Sequence, residues 1–167
     1  MKVDGSFTMD AQREQVFETL QRPEALRSCL PGVEKFDELG GGRYEVVLKA
    51  GVANVRGTFT GVVTMADQRA PEFYRLSVEG AFSGGFVRGT GDITLEEEGE
   101  KTRVKYSGDG QVGGPLASVG QRLIVPATRM VAGQFFRCME GQVKAGTAGA
   151  TESAPAAPSA GQPTGGE

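Results

Sequence analysis

Residues 80–124 read GAFSGGFVRGTGDITLEEEGEKTRVKYSGDGQVGGPLASVGQRLI, from Gly80 to Ile124. Two glycine-punctuated strands run into a Gly113-Gly114-Pro115 corner, and a long helical pattern follows. Glycine inside a strand marks a bulge, a bend or a close backbone approach. Proline at the start of a helix is pre-organised for the first turn. The stretch therefore predicts a sharply curved sheet that hands over to a helix lying across it. Such a shape encloses space, and the rest of the sequence is read for what fills it.

Working outward, the chain before Gly80 supplies the other elements. Val3, Gly5, Phe7 and Met9 alternate with polar neighbours at the period of a strand. Asp10 is the expected N-cap of a helix over Arg13 to Leu20, with Val16, Phe17 and Leu20 as its apolar stripe. Pro23 opens a second short helix that Pro31-Gly32 stops. Six strands are then expected, at about Val33–Asp37, Arg43–Ala50, Asn54–Met65, Glu72–Gly80, Phe86–Glu97 and Lys101–Gln111. The short turns between them imply an antiparallel meander. The closing helix is expected from about Pro115 to Lys144, kinked by Pro126, or broken into two near Val125. Its apolar positions are read as Leu116, Val119, Leu123, Ala127, Met130, Val131, Phe135 and Cys138.

The folded domain is expected over residues 1–144, with a disordered Ala/Gly/Pro-rich tail over 145–167. Gly146 to Glu167 carries only Gly, Ala, Pro, Ser, Thr, Gln and Glu. No large apolar side chain is there to offset the entropy of ordering.

Composition removes several function classes. The net charge is −3, and no Lys/Arg cluster marks a nucleic-acid face. Histidine is absent, which removes imidazole acid–base chemistry, Ser-His-Asp triads and histidine metal sites. Cys29 and Cys138 are far apart and form no CxxC, so they are read as buried small hydrophobes and not as a disulfide. No apolar run opens the chain as a signal peptide would, and none approaches the ~20 residues of a membrane span. The expected compartment is the cytoplasm.

Strand alternation sets the buried register. Tyr44, Val46 and Leu48 share one face, as do Val55, Gly57, Phe59, Gly61 and Val63. Tyr74, Leu76 and Val78 follow, then Val87, Gly89, Gly91, Ile93 and Leu95, then Val104 and Tyr106. The opposite register carries charge, including Glu45, Arg75, Asp92, Arg103 and Lys105, so the sheet has one wet and one apolar face. Gly57, Gly61, Gly89 and Gly91 all fall on the apolar face. Either they only let long strands coil, or they leave a cavity for an apolar ligand. All three tyrosines fall on the same register. Each either sends its hydroxyl to the rim or to backbone, or orients a ligand carbonyl. The expected cavity lining is Tyr44, Val46, Leu48, Val55, Phe59, Tyr74, Leu76, Val78 and Tyr106 from the sheet, with Leu123 and Met130 from the helix.

Three other features carry less. Gly108-x-Gly110-x-x-Gly113 matches a dinucleotide fingerprint, but its strands are hairpin-linked and no strand follows the helix, so it is read as the corner that turns the helix. Glu96-Glu97-Glu98 is read as a solvated hairpin end. Phe82 and Phe86 either cap the core or form an exposed apolar tip.

The order of elements resembles the helix-grip fold of the START/polyketide-cyclase (SRPBCC) superfamily. This is an α+β architecture: a seven-stranded antiparallel curved sheet wraps a long C-terminal helix, with two short helices after strand 1. Leu30-Pro31-Gly32 with Glu34, Gly57-Thr58-Phe59 with Gly61, Gly89-x-Gly91-Asp92 and Tyr106-x-Gly108-Asp109 resemble segments of one family within it. So do Val112 through Ile124 and Phe135-Phe136. That family is the G subunit of aerobic carbon monoxide dehydrogenase, and the resemblance covers about Met1 to Lys144. It implies a non-catalytic accessory protein of a molybdenum hydroxylase, with CO dehydrogenase subunits as partners. It also implies a hydrophobic cavity for a quinone or other lipid, no tightly bound cofactor, and a link to the inner face of the cell membrane. Two other functions stay open on the sequence. One is a small-molecule cyclase or hydratase on the same fold, and the other a structural adaptor with a filled core.

Overall fold

The computed structural model describes residues 1–156, and side chains as far as Gly146. Strand β1 (Lys2–Met9) leads to helices α1 (Arg13–Leu20) and α2 (Pro23–Cys29). Six strands follow: β2 (Val33–Gly40), β3 (Arg43–Val52), β4 (Val55–Arg69), β5 (Phe73–Phe82), β6 (Gly85–Glu98) and β7 (Lys101–Val112). A 3-10 turn (Gly114–Ser118) then leads into helix α3 (Gln121–Ala156). The seven strands form one antiparallel sheet in the order β1-β7-β6-β5-β4-β3-β2. The α+β architecture expected from the sequence is the one present.

The sheet's two faces separate as alternation requires. Val46, Leu95 and Val104 are buried on the concave side. The convex side carries ion pairs, among them Lys35 with Glu45 at 2.9 Å and Arg75 with Asp92 at 2.8 Å. The glutamate run is similarly engaged: Glu96 pairs with Lys105 at 3.2 Å and Glu98 with Arg103 at 2.6 Å across the β6–β7 hairpin. These exposed pairs contribute little each, but they keep this face wet.

Helix α1 buries Val16, Phe17 and Leu20, the expected stripe. Its N-cap is Gln12 and not Asp10, and no side chain caps it. Asp10 instead donates its backbone N–H to Glu140 Oε2 at 2.7 Å, tying the end of β1 to α3. Pro23 opens α2 as expected.

Helix α3 packs on β1, α1 and α2. It is one helix, with no break at Val125. The break falls earlier, at Gly120, whose φ of +86° ends the 3-10 turn in a conformation that L side chains rarely adopt. The helix therefore starts six residues later than Pro115 predicts, at Gln121. Its backbone also passes the expected boundary at Lys144 and runs to Ala156. The part of the expected tail at 157–167 lies outside the described residues.

Cys29 and Cys138 form a disulfide with a Cα–Cα distance of 5.5 Å, correcting the expectation of two buried thiols. The reason is tertiary. Packing α3 on α2 brings together two residues that are 109 apart in sequence.

Candidate functional site: the concave face of the sheet

The expected lining residues divide into three groups. Tyr44, Val46, Phe59 and Tyr74 are buried in the core. Tyr44 stacks on Phe36 with ring centroids 4.9 Å apart, and Tyr74 meets Phe17 of α1 edge-on at 5.8 Å. Leu48, Val55, Leu76, Val78 and Tyr106 are only half-buried, on the rim of that core. Leu123 and Met130 are 54% and 62% exposed, so they line no enclosed space.

The last group is a correction with a geometric cause. Helix α3 turns Ile124, Phe136, Met139 and Val143 inward. Phe136 stacks on Phe7 at 6.2 Å and on Tyr106 at 5.7 Å. At 100° per residue, Met130 and Leu123 lie roughly 120–140° around the helix from Phe136. The sequence offers two apolar stripes, and the one that packs is the one carrying Phe136.

The half-buried residues join into one surface through the strand register. Val63 pairs with Val78, which pairs with Gly89, which pairs with Gly110. One row along, Leu76 pairs with Gly91 and Gly91 with Gly108. Four glycines thus form a contiguous patch on the apolar face of β6 and β7. An added Cβ at any of them would meet strand backbone first: Asp109 O at 3.1 Å from Gly89, Ser107 O at 3.3 Å from Gly91, Thr90 O at 3.1 Å from Gly108 and Arg88 O at 3.3 Å from Gly110. No side chain lies among those nearest atoms, so the patch is a bare backbone floor. Gly89 and Gly91 are placed on this face by the sequence pattern, whereas Gly108 and Gly110 fall within the expected strand Lys101–Gln111 with no face assigned to them. They belong to β7, and the chain turns only after Val112.

Gly61 and Gly57 behave differently. The Phe59 ring lies over Gly61 and Gly80, with Phe59 Cζ 2.6 Å from an added Cβ at Gly61. Gly57 lets Ser83 of the β5–β6 turn approach, its Cβ 2.9 Å away. Side chains stand over these two glycines, whereas at the four glycines of β6 and β7 the nearest atoms are backbone alone.

Polar groups around the floor are few. Among the described residues the buried polar side chains are Thr19 and Thr102, and each hydroxyl donates to a backbone carbonyl, Gln15 at 2.9 Å and Ala11 at 2.8 Å. None of the three tyrosine hydroxyls hydrogen-bonds a protein group among the described residues. Burial raises all three tyrosine pKa values. Glu38 adds to this at Tyr44, and Arg129 partly opposes it at Tyr106. No cluster of His, Cys, Asp and Glu suited to a metal is present among the described residues. Phe82 is buried as a core cap, and Phe86 is 41% exposed beneath Arg88.

A separate depression of about 650 Å³ sits where β1 and β7 meet the start of α3. Lys2, Asp109, Gln121 and Arg122 supply its polar walls, and Met1, Val125 and Pro126 its apolar ones.

Residues 5–144 match the family model for the carbon monoxide dehydrogenase G subunit (CoxG), which is most of the chain. The chain belongs to the CoxG family. No curated protein sequence matches it. A conserved protein from Geobacillus kaustophilus is similar in structure, at 28% identity and a TM-score of 0.82, over 86% of this chain and 95% of that one. A START superfamily protein from Mycobacterium smegmatis shares the fold at 13% identity and a TM-score of 0.65, over 86% and 97%. So does the Zhui aromatase/cyclase from Streptomyces sp. R1128, at 16% identity and 0.62, over 86% and 93%. Membership of the CoxG family implies association with CO dehydrogenase, and the START-like relatives place the fold in the helix-grip group.

Proposed function

We propose that this protein is a non-catalytic accessory of a molybdenum hydroxylase of the CO dehydrogenase type. It holds a lipophilic molecule, a quinone or another lipid, on its concave face and links the enzyme to the inner face of the cell membrane. Family membership supports the partner. The four-glycine patch carries the ligand part of the reading, because an apolar sheet face normally fills such positions with side chains.

Leu76 and Val78 border the floor, and Tyr106 stands one row away with a hydroxyl that bonds no protein group and lies over Gly5 of β1. A neutral phenol can donate one hydrogen bond to a carbonyl oxygen, which is the polar group a quinone presents. Thr19 of α1 and Thr102 of β7 are committed to backbone, and among the described residues no buried acid or base joins them, which favours carriage over turnover. No helix among the described residues is long and apolar enough to cross a membrane, so the proposed link is peripheral.

Mass spectrometry of solvent extracts from protein purified out of its native host tests the ligand, and co-purification of CO dehydrogenase subunits tests the partner. A quinone or lipid at about one per chain is expected. Extracts free of any lipophilic molecule, together with no uptake on titration, would sink the ligand part.

A further inference from the structure

Leu123, Met130 and Val131 are 54%, 62% and 46% exposed, and the half-exposed Ala127 lies between them. They recur at i, i+4, i+7 and i+8, an apolar stripe along the first half of α3 that no described part of this chain covers. A stripe of this kind on a stable helix ordinarily has a partner. The charge on the same helix says which. From Gln121 to Lys144 it carries Arg122, Arg129, Arg137 and Lys144 against Glu140 alone, in a chain whose net charge is −3.

Arg129 is committed to Asp4, hydrogen-bonding its carbonyl at 3.0 Å, and Lys144 stands 3.9 Å from Glu140. Arg122 and Arg137 have no ion-pair partner among the described residues. Arg137 projects beside Met130, within roughly 20° on the helix wheel.

We infer that the outer face of α3, centred on Leu123, Met130 and Arg137, docks on an anionic lipid surface. The apolar side chains enter the acyl boundary while the arginines meet phosphate oxygens, as amphipathic helices do when they lie in a membrane interface. A second copy of the chain fits this face less well, because a two-fold contact would bring the same arginines together. The inference rests on the membrane-linking part of the proposed function and is independent of the lipophilic ligand.

Co-sedimentation of the full chain with phosphatidylcholine vesicles, with and without phosphatidylglycerol, tests it. The wild-type chain is expected to bind the anionic vesicles and to be released by salt. The double variant L123E/M130E, and separately R137E, should bind at least about tenfold more weakly, with unchanged circular dichroism and unfolding midpoint. Equal binding by wild type and both variants would overturn the surface assignment while leaving membrane linkage intact. No wild-type binding to any vesicle would overturn both the assignment and the membrane link, and would leave ligand carriage to be judged by titration. A wild-type dimer that M130E splits, or loss of enzyme capture with vesicle binding unchanged, would also overturn it.

Discussion

Gly91 on β6 sits directly opposite Gly108 on β7, so neither strand puts a side chain onto the concave face at that row. The next pair, Gly89 and Gly110, repeats the arrangement. Both pairs lie between Val87–Val112 on one side and Ile93–Tyr106 on the other, all of which do project side chains.

Filling the floor should remove binding without removing the fold. The variants G91L and G110L place a side chain over backbone that has an ordinary extended conformation. The nearest atoms are 3.3 Å from the new Cβ in each case, so small strand adjustments suffice. The expected change in stability is within about 1 kcal/mol, because the loss of backbone freedom in the unfolded chain offsets the local crowding. Affinity for a short-chain quinone should fall at least tenfold. Calorimetry on the pair of variants and wild type checks both numbers.

Phe136 anchors α3 to the sheet through Phe7 and Tyr106. F136A is expected to destabilise by about 3–5 kcal/mol, the range for a buried aromatic truncated to a cavity. Met130→Ala, on the opposite side of the same helix, should cost less than about 0.5 kcal/mol. Urea unfolding of both variants compares them directly. Similar losses at the two positions would show that the wrong face of α3 has been placed inward.

Much of this fold is legible because alternation is legible. Tyr44, Val46 and Leu48 against Arg43, Glu45 and Lys49 leave one choice of face, and the turns between strands are short. The face of α3 is not, because Leu123, Ala127, Met130 and Val131 form as good a stripe as Ile124, Ala132, Phe136 and Met139. Only the sheet decides between them. Gly108 and Gly110 were obscured by a motif: their spacing matches a turn fingerprint, and glycine has no side chain with which to declare a face. The Cys29–Cys138 bridge was hidden because its proximity exists only once α2 and α3 have packed.

That bridge closes a loop spanning 109 residues and ties α2 to α3. Replacing both cysteines by serine is expected to lower stability by about 2–4 kcal/mol under oxidising conditions, mainly by freeing the unfolded chain. With reductant present, the wild-type chain should approach the variant. Thermal unfolding with and without dithiothreitol, alongside a free-thiol count, measures this. An unchanged midpoint with two titratable thiols in the oxidised sample would contradict the bridge.

The tyrosines give the structure a sign in alkali. Burial raises all three, with Tyr74 the most affected beneath Phe17. The unfolded chain ionises its tyrosines near pH 10, while the folded chain still holds those protons. Stability contributed by the neutral tyrosines is therefore complete below about pH 10 and declines as pH rises from there toward the folded values. Absorbance at about 295 nm should show less tyrosinate in the folded protein at pH 10 than in the denatured chain, which is about half ionised there. A half-titrated folded protein at that pH would contradict the burial of Tyr44 and Tyr74.

The central claim is that the bare floor formed by Gly89, Gly91, Gly108 and Gly110 holds a lipophilic ligand. The chain has no tryptophan, so calorimetry is the direct reading. Titration of the wild-type chain and G91L with a short-chain ubiquinone should give saturable binding near one per chain in the wild type, and affinity at least tenfold weaker in the variant. Absence of saturable binding in the wild type, or equal binding in the two, would contradict the account.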